Sequence, residues 1–103
     1  MIVKLTADRT VVLEDSGNFR AFKLVVDGRR EDIDLVRGAL GHMAELADAD
    51  TAWVSQDALR LMAEVAADTA WQQSFAAMIE KARPHGWIDD TRKTIKAHVE
   101  WAE

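Results

Sequence analysis

The sequence predicts an α+β fold in which a three-stranded β-meander at residues 1–28 precedes three helices and a C-terminal β-hairpin. Apolar and polar residues alternate near both ends of the chain, as in half-buried strands, whereas the middle has helical spacing. Turn-forming residues separate the segments, most clearly at residues 15–18 and 27–28. Because 103 residues leave room for little more than one hydrophobic core, we expect a single domain over 1–103, with the helices and the hairpin in 29–103.

The meander is predicted from three short apolar runs. Ile2, Val3 and Leu5 lie in the first run, residues 10–13 form the second, and residues 19–26 form the third. In the third run, two adjacent valines and the flanking turns favour a strand over a helix. The role of this segment stays open between an added sheet and a dimerisation element.

The first helix is predicted over residues 32–48, where apolar side chains recur every three or four positions. Gly38 and Gly41 lie inside this pattern, and each lowers the local helix propensity by about 1 kcal/mol relative to alanine. These glycines indicate either a close approach by another element or a kink. A short strand is expected next, at residues 52–55.

Two more helices are predicted in the second half of the chain. Ser55 is a suitable N-cap for a helix over residues 56–67. Asp68 or Thr69 can cap a further helix over residues 69–83. An apolar stripe at helical spacing supports this last helix and consists of Trp71, Phe75, Met78, Ile79 and Ala82.

The hairpin prediction depends on the last strand. Residues 94–101 alternate strictly between apolar and polar side chains, which is typical of a half-buried strand. The chain leaves the preceding helix at Gly86 and Trp87, and residues 89–91 are predicted to form a turn. Together they predict a hairpin over residues 87–101, which would be lost if the last segment were helical.

Composition and charge exclude several classes of function. The formal net charge is −5, and residues 32–50 hold five acidic side chains against one basic one, which weighs against a general binder of nucleic acid or anionic membranes. The chain has no cysteine, so thiol catalysis and cysteine-based zinc sites are excluded. No apolar run approaches the roughly 18–20 residues that span a bilayer, and the first residues do not form a signal peptide. We therefore expect a cytoplasmic protein that does not contact membranes.

The residues that could carry catalysis have simpler explanations. His42, His85 and His98 show no metal-ligand spacing. The paired aspartates of the chain lie at helix starts or in turns, where capping explains them. We therefore predict no enzyme activity and no catalytic, cofactor-binding or metal-binding residues. A pocket or metal site that the fold assembles from distant residues stays open.

The four tryptophans are expected to have two different roles. Trp53, Trp71 and Trp87 are predicted to join the helices to the sheet within the core. Trp101 lies two residues from the end of the sequence and is the candidate for an exposed aromatic contact. An exposed ring there would indicate a dimer contact or a docking site.

In the order and length of its elements, the segment over residues 32–101 resembles a winged helix-turn-helix domain. The resemblance implies that residues 69–83 form a recognition helix and residues 87–101 a wing. It also implies contacts to DNA bases and phosphates from the candidate residues Gln72, Gln73, Arg83, Arg92 and Lys93.

The sequence departs from a good DNA binder on this surface. Glu80 would point a carboxylate at the duplex, and Asp89 and Asp90 lie beside the wing tip. Our leading hypothesis is therefore a non-enzymatic interaction module that contacts a protein partner or a second copy of itself in a homodimer. The alternative is a transcriptional regulator that binds DNA as a dimer. A third hypothesis is a small ligand-binding protein or enzyme with a pocket between the meander and the helices.

Overall fold

Seven short strands form one curled, mixed sheet at the centre of the computed structural model, which describes residues 1–102. Hydrogen-bonded neighbours run in the order β2-β1-β3-β7-β5-β4, and β6 pairs with the first residues of β7. The strand β3 is parallel to both β1 and β7, and the other pairs are antiparallel. The strands are β1 (Ile2–Leu5), β2 (Val11–Glu14), β3 (Lys23–Val26), β4 (Ala44–Leu46), β5 (Thr51–Ser55), β6 (Ile88–Asp89) and β7 (Thr94–Trp101).

Three α-helices connect the strands: α1 (Ile33–Leu40), α2 (Gln56–Arg60) and α3 (Thr69–Ala82). The Ser55 side chain accepts a hydrogen bond from the backbone N–H of Ala58 at 3.1 Å, which confirms the predicted N-cap of α2. The carboxylate of Asp68 caps α3 in the same way, at 2.9 Å from the N–H of Trp71. Short 3₁₀ turns precede α1 and follow α3, at Arg30–Asp32 and Arg83–His85.

The core lies between one face of the sheet and the helices. In β7 the apolar residues Ile95, Ala97 and Val99 are buried and the polar residues between them are exposed, as the alternation predicts. The apolar stripe of α3 packs against the same core. There the rings of Trp71 and Phe75 stack with centroids 4.9 Å apart. All buried residues of the described chain are apolar.

The predicted fold class, a winged-helix-like unit preceded by a meander, is wrong. The strand β1 lies between β2 and β3 and is parallel to β3, whereas a meander would place the strands in chain order. The strand β7 pairs with β3 on one edge and with β5 on the other, so it is central to the sheet and cannot be a wing. Alternation identifies a strand with one buried face but not its neighbours, and the pairing decides the fold.

Two helix boundaries also differ from the prediction. The first helix ends at Leu40, because Gly41 adopts a positive φ of 52°, and residues predicted to be helical then enter β4. An added Cβ at Gly38 would meet nothing within 4 Å, so this glycine does not mark a close approach. The second helix ends at Arg60, and turns occupy the rest of its predicted length.

Within residues 1–102, no helix combines the length and the apolar character needed to cross a membrane.

Candidate functional site

Strand pairing is interrupted along one edge of β7. The strand β6 pairs with Thr94 and Ile95, and β3 pairs from His98 onward, so Lys96 and Ala97 lie between the two partners. The N–H of Lys96 donates to the carbonyl of Trp87 at 2.8 Å, just beyond the end of β6. A cleft opens at this break.

The cleft has a volume of about 520 Å³, which is within the range of about 300–1,000 Å³ that is usual for small-molecule sites. Its walls come from the loop at residues 15–22, the end of α3 with the 3₁₀ turn behind it, and the strands β5 and β7. Apolar side chains make up much of the lining, and they are Phe19, Ala21, Phe22, Met78, Ala82, Trp87, Ile95 and Ala97.

The loop at residues 15–22 is held in place by several contacts. The amino group of Met1 donates to the carbonyls of Asn18 and Ala21, both at 2.8 Å. The indole N–H of Trp71 donates to the carbonyl of Ser16 at 2.8 Å, and the ring of Phe19 lies 6.0 Å from that of Trp71. This wall of the cleft is therefore tied to the core.

Positive charge is concentrated around the cleft. Arg20, Lys81 and Lys96 line it and are exposed, and within residues 1–102 none of them lies within 4.0 Å of a carboxylate oxygen. Asp50 is the one acidic residue among the lining residues, and it forms an ion pair with Arg30 at 2.9 Å. In a chain with a net charge of −5, this is a local reversal of sign.

Two imidazoles also line the cleft, one of them beside the indole of Trp87. His85 and His98 are exposed at the cleft, and the ring of His85 stacks on Trp87 with centroids 4.4 Å apart. The side chain of Trp87 is 47% exposed, so the prediction that it belongs to the core is wrong. His85 covers one face of the indole, and the exposed remainder offers a flat apolar surface to a ring with attached negative charge.

The candidate contact residue Gln72 is engaged inside the protein. Its side-chain N–H groups donate to the carbonyls of Arg60 and Val65 at 3.0 and 3.2 Å, and its oxygen accepts from the Arg60 guanidinium at 3.0 Å. That guanidinium lies over the ring of Phe75, 4.9 Å from its centroid. The neighbouring candidate Gln73 is exposed on α3.

The candidate Arg83 forms ion pairs with Glu80, at 2.9 Å, and with Asp90. The hydrogen bonds that the guanidinium donates to these carboxylates raise the pKa of Arg83, and the guanidinium in turn lowers the pKa of Glu80. Arg92 pairs with Glu45, and Lys93 is exposed in the turn before β7. The positive charge of both arginines is already compensated.

The candidate aromatic contact Trp101 is half-buried and packs against the core. Its indole N–H donates to the carbonyl of Ala49 at 2.6 Å. Trp101 therefore joins β7 to the turn before β5, and the exposed tryptophan of the second half is Trp87 instead.

In the part of the chain that the structure describes, no three His, Asp or Glu side chains are grouped so that they could hold a metal ion.

The sequence did not predict the residues that line the cleft, because they come from four separate segments of the chain. Only the third hypothesis, a pocket between the first strands and the helices, anticipated such a place.

Comparison of the chain with protein-family models, with curated proteins and with solved structures gives no significant match. The geometry of the cleft is therefore the basis on which a function can be argued.

Proposed function

We propose that the protein is a non-enzymatic binding module for a small organic anion that carries a flat aromatic ring. The single observation behind this proposal is the group of three unpaired cations, Arg20, Lys81 and Lys96, around the exposed indole of Trp87. Clefts of this size with apolar walls and a few charged groups are the usual form of small-molecule sites.

The positive charge of the cleft favours a negatively charged ligand. Seven basic side chains of the described residues have no ion-pair partner, and three of these seven line this one cleft. Cations that carry no internal partner are available to a ligand without breaking an existing contact. A hydrogen bond to a charged group contributes about 1.5–3 kcal/mol, so two such contacts would account for micromolar binding together with ring burial.

The apolar part of the lining favours a ligand that contains an aromatic ring. Phe22 is half-buried and contributes apolar surface, and the buried Met78 and Ile95 are also part of the lining. Trp87 is exposed at the cleft, and its carbonyl accepts a hydrogen bond from the N–H of Lys96. Aromatic pairs add about 0.5–1.5 kcal/mol beyond the area that they bury. A compact inorganic anion would leave this surface uncovered, so we favour an aromatic anion such as a nucleoside phosphate.

Our leading sequence hypothesis, contact with a protein partner or a second copy, has weaker support. It would draw on Leu61, which is 77% exposed, and Leu35, which is 57% exposed. Single exposed leucines are normal on protein surfaces. Binding of DNA through the candidate residues is disfavoured because Gln72, Arg83 and Arg92 already have partners within the chain.

The test compares two probes that share a ring and differ in charge, adenosine monophosphate and adenosine. Isothermal titration calorimetry at low ionic strength should give binding of the phosphate form at least about tenfold tighter than that of the neutral nucleoside. An aromatic carboxylate of similar size, run alongside, separates a requirement for phosphate from a requirement for any anion.

The variant Trp87→Leu should weaken binding of the phosphate probe about fivefold, because it removes the stacking surface. The matched control is Leu61→Ala, which removes an exposed apolar side chain outside the cleft and should leave the affinity unchanged. Equal affinity for the charged and neutral probes, or no binding of any probe at millimolar concentration, would overturn the proposal.

A further inference from the structure

A second depression adjoins the cleft between α3 and the loop at residues 15–22. Its volume is about 580 Å³, similar to that of the cleft. Among the residues that line only this depression, Asn18 and Ser74 carry polar side chains. The two spaces share a common wall formed by Phe19, Arg20, Met78 and Lys81.

The shared wall places two unpaired cations at the boundary between the spaces. Arg20 comes from the loop and Lys81 from the last turn of α3, and both residues line the cleft and the depression. An anion bound between them would have open space on both sides. A phosphodiester has this form, since it carries one negative charge and two substituents that leave in different directions.

The depression suits a polar substituent better than a second apolar one. Asn18 is already held, because its side-chain oxygen accepts from the N–H of Arg20 at 3.1 Å and its amide donates to Asp15 at 3.2 Å. Ser74 is exposed on α3, and its hydroxyl has no hydrogen-bond partner among the described residues. It can therefore donate to or accept from a sugar or a base edge.

We infer that the site takes a single-stranded ligand of two nucleotide-like units joined by a phosphodiester. One base stacks at Trp87 in the cleft, the phosphodiester lies between Arg20 and Lys81, and the second unit lies in the depression beside Ser74. The unpaired bases of a single strand are free to stack on aromatic side chains, whereas those of a duplex are covered by their neighbours. This inference rests on the proposed function and names its ligand class.

The test uses two ligands of equal charge that differ only in the second unit. The dinucleoside monophosphate ApA and the methyl phosphodiester of adenosine each carry one negative charge, so their comparison isolates the depression. Calorimetry at low ionic strength should show ApA binding about tenfold more tightly, because its second unit gains contacts without a second loss of translational freedom.

The variant Ser74→Trp fills the depression and should abolish this preference, so that the two ligands bind equally. The matched control is Ala76→Trp, an exposed position of α3 that lines neither space, and it should retain the preference. Circular dichroism of both variants checks that α3 is intact, and Ala77→Trp serves as a second way to fill the depression.

The outcomes separate this inference from the proposal on which it rests. If the methyl phosphodiester binds but ApA gains nothing, or if the preference survives both substitutions that fill the depression, the two-unit ligand is wrong and the single-ligand cleft stands. If neither ligand nor adenosine monophosphate binds, the proposed function itself fails.

Discussion

Two groups of basic side chains in this protein differ in what surrounds them. Arg20, Lys81 and Lys96 line the cleft and have no carboxylate within ion-pair distance in residues 1–102. Arg83 and Arg92, on what we call the turn surface, are paired with carboxylates of the same chain. The positive charge available to a ligand therefore depends on the partners of each cation.

The difference follows from where the carboxylates lie. Glu80 is three residues before Arg83, so helical spacing brings this pair together. Asp90, in the turn after β6, and Glu45, in β4, reach Arg83 and Arg92 through the fold.

The lining residues of the cleft are apolar or basic apart from Thr51 and the paired Asp50. Nearness in the sequence does not decide the difference, since Glu80 is next to Lys81 in the chain but pairs with Arg83.

The largest effect is expected from substituting a core residue that supports the wall of the cleft. Trp71→Ala removes a buried ring that stacks on Phe75 and a hydrogen bond to Ser16, and should lower the free energy of unfolding by about 3–5 kcal/mol. Chemical denaturation measures this loss, with Arg83→Ala as the control from the turn surface and no comparable loss expected there. A Trp71→Ala protein of nearly normal stability would mean that the cleft wall does not depend on the core.

The next effect concerns affinity. The double substitution Lys81→Gln with Lys96→Gln should weaken binding of adenosine monophosphate about 100-fold, because each lysine contributes about 1.4 kcal/mol. The double substitution Arg83→Gln with Arg92→Gln removes the same charge from the turn surface and should change the affinity by less than about twofold. Isothermal titration calorimetry measures both affinities. Equal losses of affinity in the two variants would mean that the paired and the unpaired cations do not differ in their contribution to binding.

A smaller effect is expected from ionic strength. Raising sodium chloride from about 50 to about 200 mM should weaken binding of the phosphate probe several-fold, because salt screens the exposed cations of the cleft. The same change should have a smaller effect on the variant that lacks Lys81 and Lys96, in which Arg20 is the remaining unpaired arginine or lysine of the cleft. An undiminished salt dependence in that variant would place the responsible charges elsewhere.

The smallest effect belongs to the turn surface. The Arg83 guanidinium lowers the pKa of Glu80, so this pair stabilises the fold above the usual pKa of a carboxyl group and loses that contribution as the pH falls through the lowered value. Glu80→Gln should therefore lower the melting temperature slightly at neutral pH and not at about pH 2.5. A difference that grows as the pH falls would have the wrong sign for this pair.

The local sequence pattern predicted many of the helices and strands but few of the strands with which each strand pairs. The cap at Ser55, the apolar stripe of α3 and the alternation of β7 depend on neighbours within a few residues, and the structure confirms them. The end of α1 was missed because Gly41 lies within an apolar pattern that continues into β4. A glycine in such a pattern is compatible with either a helix or its end.

The predicted contact residues show the same limit in the candidate site. Gln72 lies on the polar side of α3 by helical spacing, yet it bonds to Arg60 at the end of α2 and to Val65. Val65 lies in a segment that the sequence predicted as helix and that the structure shows as turns. Trp87 and Trp101 exchange their expected roles for the same reason. Whether a side chain is exposed depends on what packs over it.

Composition and periodicity were enough to establish a mixed α+β chain with a strongly apolar core and an acidic net charge, because these properties belong to single residues and short segments. The order of strands, the break along β7 and the meeting of Arg20, Lys81 and Lys96 were decided by tertiary structure alone. Strand pairing joins residues that are far apart in the chain, and the alternation that marks a strand is the same whichever neighbour it pairs with.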